Sequence, residues 1–276
     1  MSLYALESLR IVAEGLDHPE CVTCGPDGQL WAGGETGQVY RIDDAGHRWE
    51  EVGTTHGALL GVTVSSAQKI IVCDVGNHAV MEMDPRTGES RTLIDEVEGK
   101  ALVNPNYAVF APDGTLYISD SGHWHANDGY IFALDADDHV VMVDHRPAAF
   151  PNGLAYDGTT QTLYIVESTL PGITAIEMSG HTYRAVQTME GTVPDGIALD
   201  QEGALYVGCY RPDVIYRIQH GEMQCVLEDP EGTRLATPTN LCFGGPENRT
   251  LYIASLGRWH ISALEVKTPG KSLFYP

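Results

Sequence analysis

Short bursts of apolar residues, each closed by a polar turn, recur six times along the chain. Each copy opens on a Pro-x corner or its equivalent and runs through a short apolar stretch. It then turns at Gly/Asp-rich residues and resumes at a Leu-Tyr step, or its equivalent, with β-branched and aromatic residues. The copies begin at Pro19, Leu60, Pro105, Pro151, Pro194 and Pro238. Measured at Leu30, Ile70, Leu116, Leu163, Leu205 and Leu251, the spacings are 40, 46, 47, 42 and 46 residues. Bursts of this length and composition, divided by hairpin-type turns, predict strands. A period in the forties with several strands per unit predicts propeller blades.

Third strands follow in each unit (QVYRID, AVMEMD, GYIFALD, ITAIEM, VIYRI and ISALEV), and less regular fourth strands follow only five of them. The sixth unit runs out near Val266, while the N-terminal SLRIVAE has strand composition and no repeat of its own. That segment is expected to supply the missing outer strand, because closing the ring removes the open edges of a linear array. The expected fold class is all-β: a six-bladed β-propeller closed by the N-terminal strand, one domain over residues 1–276, with essentially no regular helix.

Equivalent positions in a closed array occupy equivalent places in space. The position after the corner reads Glu20, Gly61, Asn106, Asn152, Asp195 and Thr239. The first strand of a propeller blade lines the central channel, so these residues are expected to ring one of its mouths. Two carboxylates and two carboxamides are hard oxygen donors suited to a divalent cation. Without a cation, Glu20 and Asp195 would raise each other's pKa. Asn152-Gly153 and Asp195-Gly196 also read as turn pairs, but Glu20 is not a turn residue. The ends of the second strands form a further set, Gly34, Asp74, Asp120, Glu167, Cys209 and Ser255. Its acids are read as a second shell, a second cation site or solvated strand ends. The Ser121–Gly129 insertion carries His123 and Trp124 and is expected to wall the pocket. His18, Tyr107, Tyr210, Arg211, Trp259 and His260 lie near ring positions or second-strand ends.

Composition narrows the partners. Against 16 Lys and Arg stand 38 Asp and Glu, a formal charge of −22, so nucleic acid and anionic membranes are poor partners. No apolar run reaches membrane-spanning length. The start of the sequence does not read as a signal peptide, and the chain is expected to be cytoplasmic. Cys21 and Cys24 lie three apart on a predicted strand, so their side chains point to opposite faces; they read as small buried hydrophobes rather than half a zinc site. The serine-hydrolase elbow, the phosphate loop, the HExxH helix and the dinucleotide fingerprint are all absent from the sequence.

The stretches HPECV at Glu20, NPNYAVFAPDGTLYISD at Asn106, FPNGLAYDGTTQTLYIVES at Asn152 and VPDGIALDQEGALYV at Asp195 resemble the family of gluconolactonase, senescence marker protein (regucalcin) and luciferin-regenerating enzyme. The resemblance implies a six-bladed propeller with one divalent metal at its channel, held by Glu20, Asn152 and Asp195. It also implies that Asn106 orients substrate and that Asp195 is the general acid/base. Members acting on sugar lactones often carry Arg-x-Asn-Asp where this chain has Asn104-Pro105-Asn106-Tyr107. This departure points away from sugar acid lactones and toward a more apolar or aromatic substrate. The expected substrate contacts are Asn104, Asn106, Tyr107, His123 and Trp124.

The expected activity is metal-dependent hydrolysis of a small-molecule lactone or related ester. The cation would polarise the carbonyl and hold the attacking water, and Asp195 would move the proton. Calcium is the first choice of ion, with magnesium, manganese and zinc as alternatives. The competing readings are a non-enzymatic binding propeller with a structural calcium, and an organophosphate-ester hydrolase or synthase on the same fold.

Overall fold

A computed structural model describes residues 2–45 and 48–276. Six four-stranded antiparallel sheets form the blades of a propeller. Their innermost strands are, in order, Val22–Cys24, Leu59–Val64, Pro105–Phe110, Pro151–Asp157, Val193–Leu199 and Pro238–Gly244. The last blade takes its outer strand from the other end of the sequence. Arg10–Glu14 pairs antiparallel with His260–Glu265, Arg10 opposite Ala263 and Glu14 opposite His260. The expected closure by the N-terminal strand is therefore what the chain does. Helical residues among those described are confined to three single 3-10 turns, Leu6–Ser8, Pro246–Asn248 and Leu256–Arg258. No helix among the described residues is long and apolar enough to cross a membrane.

The blades are held face to face by apolar layers, one at each boundary. Cys21, Trp31 and Val39 of the first blade meet Leu59, Val62 and Val72 of the second. Val22, Cys24 and Leu30 meet Cys242, Tyr252 and Ile261 of the sixth. Cys21 and Cys24 thus serve opposite faces of one blade, as their spacing predicts, and both are free thiols. The innermost and second strands are almost wholly buried, as in Pro105–Phe110 and Leu116–Asp120. Outer strands such as Arg48–Thr54 and Thr182–Thr188 are largely exposed. One small hairpin, Glu96–Val97 with Lys100–Ala101, was not anticipated and bridges the second and third blades.

The segment 267–276 lies across the end of the channel opposite the Pro-x corners. The Gly270 N–H donates to the Asn248 carbonyl of the sixth blade, and the Lys271 N–H to Leu199 of the fifth. Lys271 Nζ pairs with Asp157 of the fourth. Phe274 packs with Ala108 and Phe110 of the third. The Ser66 N–H of the second donates to the Pro276 carbonyl. Tyr275 Oη donates to the Cys24 carbonyl of the first at 2.7 Å. This strap touches every blade and closes over a narrow cavity of about 40 Å3, lined by Thr23, Thr63, Tyr107, Phe243 and Phe274 among others. Removing residues 271–276 forfeits a salt bridge and the packing of two aromatic rings, a loss of about 3 kcal/mol or more. At 2–4 °C per kcal/mol for a chain of this size, thermal melting should fall by on the order of 10 °C. An unchanged melting temperature would show that the strap does not brace the ring.

Candidate metal centre

The bases of the site are irregularities in the innermost strands. In the third to sixth blades the pairing register slips just after the Pro-x corner, between Pro105 and Tyr107, Pro151 and Leu154, Pro194 and Ile197, and Pro238 and Leu241. The residues left unpaired include Asn106, Asn152, Asp195 and Thr239. A bulge re-aims the side chains it carries, and here it supplies the ring predicted from the repeat. In the second blade the slip falls at Leu60, and Gly61 stays paired with Cys73. In the first, Glu20 precedes the strand Val22–Cys24.

Asn152-Gly153 and Asp195-Gly196 are not turns. Both lie inside strands, and their glycines answer to space. A Cβ on Gly153 would stand 2.7 Å from the Asp195 carbonyl oxygen, and one on Gly196 would stand 2.6 Å from the Asn240 Cα. The innermost strands touch backbone to backbone at this end of the channel.

This crowding brings together the carboxylates of Glu20 and Asp195. Asn106, Asn152 and Asp195 are buried, and Glu20 is half-buried. Burial, then the charge of Asp195, then that of Glu35 push the Glu20 carboxyl up to about 8. Burial pushes Asp195 up to about 7, while the neighbouring Asn152 amide favours its charged form. What acts on the two acids is thus other carboxylates and an amide rather than a basic side chain.

Hydroxyl groups, three of them outside the ring positions that the repeat revealed, fasten this ring. Ser119 Oγ donates to the Asn152 carbonyl at 2.8 Å, Ser121 Oγ to Pro151 at 2.6 Å, and Ser168 Oγ to Pro194 at 2.7 Å. Thr239 Oγ1 donates to the Glu20 carbonyl at 2.5 Å. Each of these bonds runs from one blade to the corner of the next. The only sequence signal for the three serines is a hydroxyl at or just after the end of a second strand.

The acids at the second-strand ends are neither solvated nor free to hold a second cation. Asp74 accepts from the Ala58 N–H and from Asn77. Asp120 accepts from the N–H groups of Val103, Asn104 and Gly122 and from Tyr130 Oη. Glu167 accepts from the Ala149 N–H, Thr174 and Tyr183. In each case a backbone donor comes from the corner leading into the innermost strand. These acids hold the corners whose bulges carry the ring.

Of the other predicted residues, Asn104 lies beside Asn106, and its Oδ1 is a buried acceptor with no hydrogen-bond partner. Tyr107 is buried in the channel, where it lines the cavity beneath the strap rather than the mouth. His123 is exposed and held 2.7 Å from Asp128. Trp124 is exposed beside Phe150. His260 is buried, and its Nε2 donates to the Arg234 carbonyl. His18 contacts Asp17 and Glu35 within one cluster.

The fold and this mouth define a six-bladed propeller with an oxygen-donor cluster at one end of its channel. The family model described as SMP-30/Gluconolactonase/LRE-like region matches residues 19–257, and the chain belongs to that family. It is similar to a gluconolactonase of Zymomonas mobilis, 26% identical over 71% of this chain and 60% of that protein. It is also similar to a regucalcin of Xenopus laevis, 32% identical over 47% of this chain and 44% of that protein. The chain therefore spans about half the length of the curated relatives it matches. A solved structure of a calcium-binding protein, regucalcin from Agrobacterium tumefaciens, shares the fold with a TM-score of 0.77 at 16% identity, covering 96% of each chain.

Two expectations follow. Glu20 and Asp195 titrate higher in the fold than their ordinary values of 4.5 and 3.8. Folding therefore favours their neutral forms, and the metal-free protein should lose stability as pH rises from about 5 to 8. Urea unfolding in chelator should show that loss, and Glu20→Gln should reduce it and be the more stable protein at pH 8. Equal losses in both proteins would mean that the carboxylates do not repel. Asp120→Ala strands the N–H groups of Val103, Asn104 and Gly122 and should cost about 3 kcal/mol or more by the same measurement.

Proposed function

We propose that this chain is a calcium-dependent hydrolase that opens a lactone or related ester at the mouth of the propeller, with Asp195 as general acid and base. The observation that carries the reading is the pairing of Glu20 and Asp195 beside Asn152, two acids forced together by the fold. An oxygen-only donor set of two carboxylates and one carboxamide fits a hard divalent cation and neutralises its charge. Membership of the gluconolactonase-like family supports lactone chemistry, and the calcium-binding relative of the same fold supports the choice of ion.

When bound by Glu20, Asn152 and Asp195, the cation would supply Lewis-acid polarisation of the lactone carbonyl. The Asp195 carboxylate takes a proton from water as the water oxygen attacks the carbonyl carbon. It returns that proton to the ring oxygen as the carbon–oxygen bond breaks, and a hydroxy acid leaves. The Asn106 amide orients the substrate. Asn104 Oδ1, an unsatisfied buried acceptor, takes a hydrogen bond from the substrate or its water. Tyr107 serves by closing the channel beneath the site, so reaction and release share one mouth.

The same repulsion between Glu20 and Asp195 would also make calcium a purely structural plug in a binding propeller, so the test must separate turnover from stability. Stripped protein is assayed for acid release from a lactone panel, with calcium, magnesium, manganese or zinc restored. Activity should return with a divalent ion, and Asp195→Asn should lower it by about a hundred- to ten-thousandfold while the fold is kept. If calcium raises the melting temperature with no turnover on any lactone, the plug is the correct reading.

A further inference from the structure

Two tryptophans stand half exposed on the mouth face, Trp124 at 51% and Trp259 at 47%. Both lie between the second and third strands of their blades, Trp124 in the third and Trp259 in the sixth. Neither is a loose side chain. Trp124 meets Phe150 edge-on with ring centres 4.7 Å apart, and Trp259 lies 4.3 Å from His18. Phe150 and His18 come two residues before Asn152 and Glu20. Both hold left-handed backbone, φ 59° and 42°.

The positions of these pairs follow from the ring. Phe150 stands at the entry to the fourth blade and His18 at the entry to the first. Three blades of six separate them, so the two aromatic pairs face each other across the mouth. Leu170, 49% exposed, lies between the second and third strands of the fourth blade and so on the same face. A single exposed apolar residue needs no explanation, but two braced pairs on opposite sides of one mouth do. Asp120 and Glu167 at the rim meanwhile spend their oxygens on corner amides and neighbouring hydroxyls. Neither of these two acids is left to receive the hydroxyls of a sugar ring.

We infer that the mouth selects lactones bearing an aryl or alkyl substituent, which the Trp124–Phe150 and His18–Trp259 pairs grip while the lactone carbonyl faces Glu20, Asn152 and Asp195. This rests on the lactonase reading above and names its substrate class. Aromatic walls give large contact area at low conformational cost, and hydrophobic contact of this kind changes discrimination by about tenfold or more.

The test uses metal-loaded full-length chain with four lactones: dihydrocoumarin and γ-nonalactone as apolar substrates, γ-butyrolactone as the bare ring, and glucono-δ-lactone as the polyhydroxylated one. Wild-type kcat/KM should favour the apolar pair over the other two by about tenfold or more. Trp124→Ala and Trp259→Ala should each shrink the ratio of apolar to bare-ring kcat/KM at least fivefold, and the Phe variants should keep most of it. Binding is read separately from tryptophan fluorescence on titration with 3,4-dihydro-2-quinolinone, the unhydrolysed lactam of dihydrocoumarin. Saturable quenching that is weakened in both Ala variants is expected. Turnover with no apolar preference, or a ratio unmoved in both Ala variants, overturns the inference and leaves the lactonase reading standing. Turnover of none of the four overturns the lactonase reading, and the lactam titration then decides the aromatic grip by itself: no quenching rejects it.

Discussion

At one end of the channel the innermost strands of neighbouring blades approach until backbone meets backbone, and the rest of the mouth depends on that contact. No Cβ fits at Gly153 or Gly196, where it would stand under 3 Å from the backbone of the neighbouring strand. Strands this close leave no room for a regular ladder around the corner, and the register slips in five of the six blades. In four of them the slip frees a polar residue to point where no paired residue would. The same convergence presses two carboxylates together at the centre, so geometry that serves packing also makes a site that asks for a cation.

The acids at the second-strand ends and those of the ring differ in what satisfies them. Asp74, Asp120 and Glu167 are deeply buried, yet each oxygen finds a backbone, hydroxyl or amide donor. Glu20 and Asp195 are also enclosed but lack such donors, and burial raises both. The first group is architecture, because it ties each corner to the strand behind it. The second is unfinished business of the fold, which is what a ligand site requires. Residue type alone does not separate them.

Much of this was legible in the sequence. The six-fold repeat stands out because the two inner strands of each blade are buried on both faces, so their apolar runs are strict. The outer strands were harder to read, since Arg48–Thr54 and Thr182–Thr188 face solvent and tolerate many residue types. Ring membership followed from repeat phase, whereas the bulges that aim Asn152 and Asp195 left no mark beyond a following glycine that also suits a turn. The hydroxyl links from Ser119, Ser121, Ser168 and Thr239 were invisible, because serine and threonine are common and their partners are backbone atoms of another blade. Tyr107 was read at the mouth because its neighbour Asn106 is; successive residues of a strand diverge, and its ring turned down the channel. The strap of residues 267–276 has no counterpart in the repeat and could be found only by folding the chain.

The closure by Arg10–Glu14 has a consequence for synthesis. Arg10 is made 253 residues before its partner Ala263. At about 5–20 residues per second, the first strand waits on the order of 10 to 50 seconds for the edge it must join. Throughout that interval the nascent chain is an open array with Arg10–Glu14 unpaired, the condition in which sheets recruit strangers. The charges of Arg10 and Glu14, placed at the two ends of that short strand, make it a poor template for other chains while it waits.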